Sequence, residues 1–185
     1  MATVDPDALV FLDETSTPTT LTPLRARAPL RARAPRGQRA VGRVPRGRRE
    51  AISWLATLTA TGIGESLLVR GAVDRLVFET FVEQVLVPNL HPGHIVVLDN
   101  LSVHKSARAK ALIEAAGCQV VFLPTYSPDF NPIEQAFAKI KQLLRRVGAR
   151  TWESVVNAVG EALTTITAAD ARAFFAAAGF PLTAQ

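Results

Sequence analysis

Three carboxylates in this 185-residue chain stand where a metal-dependent reaction could use them. Asp13 and Asp99 each end a short apolar run, ALVFLD and HIVVLD, and Glu134 falls in the first turn of an amphipathic segment. The ends of neighbouring strands are where α/β folds gather ligands. Mg²⁺ prefers oxygen ligands and typically binds one or two carboxylates together with substrate phosphates. Two such ions about 4 Å apart can activate a water or hydroxyl in phosphodiester chemistry.

Each carboxylate also has a purely structural interpretation. Aspartate at a strand end commonly caps a turn or a helix. Asn131 is a good N-cap, Pro132 is a favoured first helical residue, and Glu134 follows the cap by three positions, which together predict a capping box. A carboxylate there also suits the helix dipole. Because one residue cannot easily cap its helix and bind a metal, both interpretations of Glu134 stay open.

The apolar patterns predict five strands and five helices. Short apolar runs indicate strands at 8–13, 51–60, 66–70, 94–99 and 119–123. Helical spacing indicates helices at 74–87, 106–116, 132–147, 152–166 and 168–178. In the first of these helices the spaced apolar residues are Leu76, Val77, Phe81 and Val85. This order predicts an α/β fold, with a mixed sheet of about five strands flanked by helices.

One segment carries nearly half of the basic residues of the chain. Residues 15–48 follow no period and are rich in Thr, Pro and Arg, which predicts a long loop or arm after the first strand. Ten arginines fall between Arg25 and Arg49, while no acidic residue falls between Glu14 and Glu50. Outside the window from Arg25 to Arg49, 11 basic residues face 16 acidic ones, although the whole chain has a net charge of +5. Since guanidinium groups bind phosphates through a planar fork, the arm favours salt-dependent contact with DNA over an ordinary solvated face.

Composition excludes several protein classes. With 48% hydrophobic and 20% charged residues the chain is typical of globular proteins, and is neither wholly disordered nor collagen-like. The single cysteine, Cys118, cannot form an intramolecular disulfide, and we expect it in the core. No apolar stretch reaches the roughly 18 residues that span a bilayer, so we expect a cytoplasmic protein without membrane contact. Without a Cys or His cluster, a structural zinc site is not expected.

Four segments carry a family resemblance. They are FLDET at 11–15, APRGQR at 34–39, VLDNLSVHK at 97–105 and FLPTYSPDFNPIEQAFAKIK at 122–141. Together they resemble the DDE transposases of bacterial insertion sequences related to the mariner superfamily. Between Asp99 and Glu134 stand 34 residues, which is the separation that this group uses.

The resemblance implies a ribonuclease-H-like fold and a catalytic, metal-binding triad of Asp13, Asp99 and Glu134. The implied cofactor is Mg²⁺ or Mn²⁺, with two ions in the site. The implied reactions are nicking at the element ends and then attack of the freed 3′-hydroxyl on target DNA, usually at a TA dinucleotide. Strand alternation puts Asp13 and Glu14 on opposite faces, so only one of them can point at the site, and the resemblance favours Asp13.

The arm and the family motifs together predict the DNA-binding residues. These are Arg36, Arg39, Arg46, Arg48, Arg49, His104, Lys105 and Lys141. Asn100, His104 and Lys105 closely follow the strand 94–99, which suits contact with phosphate or support of the metal ligands. For His104 the alternative is an ordinary solvated loop histidine, and both interpretations stay open.

The chain departs from its relatives in two ways. Relatives carry N-terminal helix-turn-helix modules, whereas this chain begins almost at the first catalytic strand. We therefore expect a split reading frame, a truncated remnant or an excised domain. The hexapeptide LRARAP occurs twice, at 24–29 and 30–35, where relatives usually have one copy. An insertion in a surface arm costs little stability, but it changes where DNA contacts fall.

These observations define the expected organisation and partners. We expect a catalytic domain over 1–150, including the arm at 15–48, and helices over 151–185 that pack on it. The expected partners are double-stranded DNA, a separate helix-turn-helix module and a second copy of the chain in synapsis. The expected location is the bacterial cytoplasm, near the nucleoid. Two alternatives are a catalytically silent DNA-binding remnant and another ribonuclease-H-like nuclease, such as one that cuts RNA–DNA hybrids.

Overall fold

A five-stranded sheet with helices on both faces forms the body of the protein. The computed structural model describes residues 5–18, 51–125, 127–149 and 151–180. The strands are β1 (Leu9–Pro18), β2 (Ala51–Thr59), β3 (Gly62–Arg70), β4 (Ile95–Leu98) and β5 (Gln119–Phe122). The helices are α1 (Arg75–Phe81), α2 (Ala107–Ala115), α3 (Ile133–Val147), α4 (Trp152–Leu163) and α5 (Ala168–Ala177). A widened turn over Val82–Leu86 and a 3₁₀ turn over Val87–Asn89 continue α1, and a 3₁₀ turn over Pro128–Phe130 precedes α3.

The strand order is β3-β2-β1-β4-β5, with β1 at the centre. β1 pairs antiparallel with β2 and parallel with β4, and β4 in turn pairs parallel with β5. The parallel pairs are connected through helices, as parallel strands require, whereas β2 and β3 are joined by a tight hairpin. The mixed sheet of five strands flanked by helices confirms the predicted fold class.

Strand alternation divides the core into two layers. On β1, Leu9 and Phe11 face α3, α4 and α5, whereas Val10 and Leu12 face α1 and α2. We call these the α3 face and the α1 face of the sheet. On the α3 face, the ring of Phe11 meets that of Phe175 edge-on at 5.2 Å. The α3 face therefore includes side chains from the last helix as well as the first strand.

The first strand is longer than its apolar run predicts. Residues 14–18 belong to β1, where Thr15, Ser16 and Thr17 pair with residues of β2. The prediction that the loop begins at residue 15 is wrong, because backbone hydrogen bonds to a neighbouring strand extend β1 beyond its apolar run. The rest of the predicted arm, residues 19–48, lies outside the described residues.

The helical segment after β3 also differs from its pattern. The chain buries Phe78, Phe81 and Val82 completely, but Leu76 is 67% exposed. The residues from 76 to 86 include apolar side chains on several sides of a helix, so spacing alone does not select the buried side. The helical spacing therefore locates the helix, but it does not tell which of its apolar side chains are buried.

The remaining helices follow their sequence signals. Ser106 caps α2, and Thr151 and Thr167 cap α4 and α5 with capping boxes at both of these helices. Gly148 takes a left-handed conformation and ends α3. Among the described residues, no helix combines the length and the apolar character that crossing a membrane demands.

Candidate active site

The register between β1 and β4 brings Asp13 and Asp99 to the same edge of the sheet. Phe11 is aligned with Val97, and each aspartate comes two residues later on its own chain segment. Phe11 and Val97 both belong to the α3 face, so alternation points both aspartates toward that face. The two carboxylates and the His104 imidazole offer ligand atoms that all lie within 4.8 Å of one another.

Asp13 is the buried member of the pair. Only 4% of the residue is exposed. Its Oδ1 accepts the backbone N–H of Glu14 at 2.7 Å, and its Oδ2 accepts Nδ2 of Asn131 at 2.7 Å. Burial, together with the charges of Asp99 and Glu134, raises the pKa of Asp13 to about 7, although the Glu14 N–H opposes the rise. Without a cation, this carboxylate is held at a substantial electrostatic cost.

Asp99 has the opposite electrostatic balance. Its side chain is 33% exposed, and its Oδ1 lies 2.5 Å from Nδ1 of His104 and accepts the N–H of Leu101 at 3.0 Å. Burial alone would raise the pKa of Asp99, but the hydrogen bonds from His104 and Leu101 and the charge of Lys105 lower it overall. Asp99 therefore stays ionised at neutral pH and is ready to bind a cation.

Glu134 reaches the same place from α3. The helix has no side-chain hydrogen bond at its N-cap, so the predicted capping box is not formed. Asn131 instead uses its amide for Asp13, and its carbonyl oxygen accepts the backbone N–H of Glu134 at 3.2 Å. This resolves the competition for Glu134, because its carboxylate is not engaged in capping. Glu134 lines two adjoining cavities together with Asp13 and Asp99.

The two cavities form an open depression around the carboxylates. One, of about 320 Å³, continues past Asn100, Leu123 and Asn131 along the segment that precedes α3. The other, of about 330 Å³, continues past Thr15, Ser53 and Lys141 along β1 and β2. The carboxylates thus stand where the two cavities meet.

The donor set fits a hard divalent cation. Two aspartate carboxylates stand together, and Glu134 adds a third beside the same cavities. Oxygen ligands of this kind suit Mg²⁺ and Mn²⁺. Cation binding would also remove the mutual repulsion that raises the pKa of Asp13. Glu134 is not one of the three groups whose ligand atoms lie within 4.8 Å of one another. Its carboxylate would therefore bind a cation at a greater distance from these groups, or through a water.

The predicted DNA-binding residues divide into three groups. Lys141 is half-buried, lines the second cavity and donates a hydrogen bond from Nζ to Oγ1 of Thr15. Burial lowers the pKa of Lys141, and the neighbouring Glu134 carboxylate opposes this change. Lys105 is exposed just beyond the site. The arginines of the arm lie outside the described residues, and these are Arg36, Arg39, Arg46, Arg48 and Arg49.

His104 is not a solvated loop residue. Only 1% of it is exposed, and its ring packs on Phe78 with the centroids 4.8 Å apart. A side chain buried in this way offers little surface to a DNA phosphate, and its contact with DNA stays a prediction. Of its predicted roles, support of a metal ligand is the one that its contact with Asp99 favours.

Two further side chains support the site. Asn131 is predicted from the sequence only as a helix cap. Asn100 donates a hydrogen bond from Nδ2 to the carbonyl oxygen of Leu123 and so connects the end of β4 to the end of β5. Asn131 and Asp13 are 118 positions apart in the chain, so no local pattern links them. The only sequence signal was the presence of both asparagines within the family motifs.

Known proteins resemble this chain in sequence and in fold. It matches the family of DDE superfamily endonucleases over residues 8–155. It is 24% identical over 112 residues to the Tc1 transposable element transposase of Caenorhabditis elegans, which is 58% of this chain and 41% of that protein.

Solved structures of Mos1 transposase share the fold. A paired-end complex with the left transposon end matches with a TM-score of 0.74 at 18% identity, covering 95% of this chain and 53% of that one. The Mos1 catalytic domain matches with a TM-score of 0.64 at 14% identity, covering 92% and 76%. That domain has also been solved with Mg and with Mn, in each case together with raltegravir.

These likenesses agree with the arrangement of the site. The chain spans about half the length of the full transposases that it matches, 41% of Tc1 and 53% of Mos1 in its paired-end complex. The shared fold is the ribonuclease-H-like sheet that the sequence predicts. The family match covers most of the chain, including both strand-end aspartates and Glu134. The chain therefore belongs to the DDE superfamily endonucleases.

Proposed function

We propose that this chain is the catalytic domain of a DDE transposase, which cleaves DNA strands and transfers them in a metal-dependent reaction. The observation that carries the proposal is the meeting of Asp13 and Asp99 at adjacent strand ends, with Glu134 beside the same cavities. Membership of the endonuclease family supports this function over a silent DNA-binding remnant or a nuclease for RNA–DNA hybrids. The matches to Tc1 and Mos1 transposases support transposition as the biological process.

Asp13, Asp99 and Glu134 are the proposed catalytic residues, and they would hold two Mg²⁺ or Mn²⁺ ions. The bound ions would activate the attacking water or 3′-hydroxyl and stabilise the charge on the leaving oxygen. Support comes from the oxygen-rich donor set and from the Mos1 catalytic domain, which has been solved with either metal.

The protein itself positions the carboxylates before any substrate arrives. Asn131 fixes one oxygen of Asp13, and the Glu14 N–H fixes the other. His104 and the Leu101 N–H both bind Oδ1 of Asp99. Preorganised ligands of this kind reduce the reorganisation needed when a phosphate enters. The open cavities leave room for the DNA backbone and for the attacking group.

The proposed substrate is double-stranded DNA, at transposon ends and at a TA-containing target. Lys105 and Lys141 supply positive charge beside the carboxylates, and the arginine-rich arm, which follows β1 in the chain, supplies more. End recognition would come from a separate helix-turn-helix module, and two copies of the chain would meet in synapsis. A bacterial cytoplasmic location, near the nucleoid, suits these partners.

The C-terminal helices belong to the same proposed catalytic unit. Val155 and Val159 of α4 and Phe175 of α5 are buried in the layer that also contains Phe11 and Phe137. Lys139 of α3 pairs with Asp170 of α5 at 2.8 Å. We propose that residues 151–185 support α3, and hence Glu134, and do not form an independent domain.

Nicking of supercoiled plasmid tests the proposed function. The purified chain should convert supercoiled DNA to open circles with Mg²⁺ or Mn²⁺ but not with EDTA, and Asp99→Ala should abolish this conversion. Glu153→Ala is the matched control, because Glu153 is an exposed carboxylate in the first turn of α4. Nicking that persists in Asp99→Ala would contradict the proposed site. If folded parent and Asp99→Ala bind DNA equally in a salt-dependent way and neither nicks it, the chain is a silent DNA-binding remnant.

A further inference from the structure

Strand alternation directs the side chain of Glu14, next to Asp13, toward the other side of the sheet, although Glu14 also lines the rim of the cavity that contains Asp13 and Asp99. β1 sends Asp13 toward the α3 face, so Glu14 follows Val10 and Leu12 toward the α1 face. It is half-buried, and it pairs with Leu55 of β2. A carboxylate in such a position costs free energy unless it meets a polar partner.

Two buried polar atoms near this position have no hydrogen-bond partner among the described residues. They are Oε2 of Glu14 and Nε2 of His104, and each has less than 1 Å² of exposed surface. Most buried polar atoms in folded proteins are paired, with protein or with ordered water, and each exception needs a reason. One of these atoms can accept a hydrogen bond, and the other can donate or accept one.

His104 and Glu14 also lie on the same side of the sheet. The His104 ring packs on Phe78, which belongs to the same apolar layer as Val10 and Leu12. The His104 ring also lies beside the residue that precedes Glu14, because a ring nitrogen of His104 and a carboxylate oxygen of Asp13 are within 4.8 Å of each other. Nδ1 of the same ring is already committed to Asp99 at 2.5 Å. The free ring nitrogen is therefore the one available to Glu14.

We propose that Glu14 is a positioning residue that holds His104 through these two unpartnered atoms, directly or through one buried water, and that His104 in turn holds Asp99. A direct hydrogen bond needs a proton on one of the two atoms, whereas a bridging water can donate to both. This inference rests on the proposed function only in treating Asp99 as a metal ligand. It goes beyond that function by giving the adjacent carboxylates Asp13 and Glu14 different tasks at one site.

The arrangement gives the site support from both faces of the sheet. Asp13 would bind the metal directly. Glu14 orients Asp99 from the opposite face of the sheet, through the imidazole of His104. Metal-binding carboxylates and imidazoles are commonly oriented by such outer hydrogen bonds, and losing one typically weakens metal affinity or activity about 10- to 100-fold. A merely structural Glu14 would leave metal affinity unchanged in the folded protein.

The first test observes the His104 ring without any metal. The chain has three histidines, so ¹⁵N-detected imidazole resonances of the full chain are few, and His104→Asn identifies its signals. We expect Glu14→Ala to move the Nε2 resonance of His104 and leave those of His91 and His94 in place. Glu14→Gln, whose amide can donate or accept, should largely preserve the hydrogen-bonded state. An unchanged Nε2 resonance in folded Glu14→Ala would overturn the proposal.

The second test measures Mn²⁺ affinity by electron paramagnetic resonance, on protein shown by its melting curve to be folded. We expect about 10- to 100-fold weaker binding in Glu14→Ala and near-parental binding in Glu14→Gln. Glu65→Ala is the matched control, because Glu65 is a half-buried glutamate of the same sheet that accepts a hydrogen bond from Thr57. Parental affinity in Glu14→Ala would overturn the inference, whereas failure of the parent to bind Mn²⁺ would overturn the proposed function instead.

Discussion

The two strand-end aspartates differ in exposure, in hydrogen-bond donors and in the direction of their pKa shifts, because the two faces of the sheet contribute different groups to them. On the α3 face Asp13 is 4% exposed, is held by neutral hydrogen-bond donors, and has a pKa raised to about 7. Asp99 is 33% exposed, is held through His104 from the α1 face, and has a lowered pKa. The hydrogen bonds to Asp13 come from a backbone N–H and an amide, which are neutral, whereas Asp99 is hydrogen-bonded to a basic side chain.

This difference gives the two carboxylates different roles in cation binding. Asp99 is ionised at neutral pH and can make the first contact with a cation. Burial and the charges of Asp99 and Glu134 oppose the ionisation of Asp13. A bound cation would therefore favour the ionised form of Asp13. The energetic cost of forming the site is therefore concentrated at Asp13, and cation binding should relieve it there.

The largest expected effects come from neutralising either aspartate. Both Asp13→Asn and Asp99→Asn should lower metal-dependent nicking about 1,000-fold or more, because each removes a proposed ligand worth several kcal/mol in the transition state. Their stabilities should differ. At pH 8 without metal, Asp13→Asn should stabilise the fold by about 1–2 kcal/mol, since it removes a buried charge. Asp99→Asn should destabilise it by about 1–2 kcal/mol, since it weakens the bond to His104.

Urea unfolding in EDTA measures both values, with plasmid nicking assayed on the same preparations. If the two variants shift the free energy of unfolding in the same direction, the difference between the two faces does not hold. If Asp13→Asn alone responds to added Mg²⁺ as strongly as the parent, Asp13 is not a ligand.

The pH dependence of stability should follow Asp13. Its pKa is about 7 in the folded protein and near 3.8 in the unfolded chain, so the folded state binds the extra proton between these values. Without metal, Asp13 should therefore make its full contribution to the free energy of unfolding below about pH 4. This contribution should be lost as the pH rises through about 7. In Asp13→Asn this part of the slope should be absent.

Divalent cation should act in the reverse direction, because it competes with the proton on Asp13. Melting curves with and without Mn²⁺ should show a larger stabilisation at pH 8 than at pH 5.5. An equal stabilisation at both pH values would mean that binding does not require ionisation of Asp13.

A smaller effect is expected from the group that holds Asp13. Asn131→Ala removes the 2.7 Å hydrogen bond to Oδ2 and should cost about 1 kcal/mol in stability. Mn²⁺ affinity should fall about tenfold, since the carboxylate loses its fixed orientation. Calorimetric titration measures the affinity, and Asn157→Ala, an exposed asparagine of α4, is the control. An unchanged affinity would show that the β1 backbone alone positions Asp13.

The sequence predicts the parts of the site that depend on local pattern. The apolar runs that end in Asp13 and Asp99 locate β1 and β4, and the helical spacing over 132–147 locates α3. Parallel pairing with a common register then follows from the general behaviour of α/β folds. Each of these features is encoded within a few residues, and so a single sequence reveals it.

Features that depend on distant partners were predicted poorly. Asn131 has every local feature of a cap, yet Asp13, 118 positions away, takes its amide. The polar end of β1 is a strand because β2 offers it backbone partners, and the sequence of β1 does not contain that information. Leu76 and Phe78 are both apolar, but only the packed sheet decides that the second is buried and the first is exposed.

The smallest expected effect tests whether the α1 face acts on the site through His104 alone. Arg108 of α2 pairs with Glu83 at 2.8 Å on the surface of that face, and both side chains are substantially exposed. Arg108→Ala should cost about 0.2–1 kcal/mol in the free energy of unfolding, as is usual for exposed ion pairs. Nicking and Mn²⁺ affinity should remain at the parental level, because this pair does not contact His104 or Asp99. A clear loss of metal affinity in Arg108→Ala would mean that the packing of α1 on α2 tunes the site. In that case, the support of Asp99 would extend beyond the imidazole that contacts it.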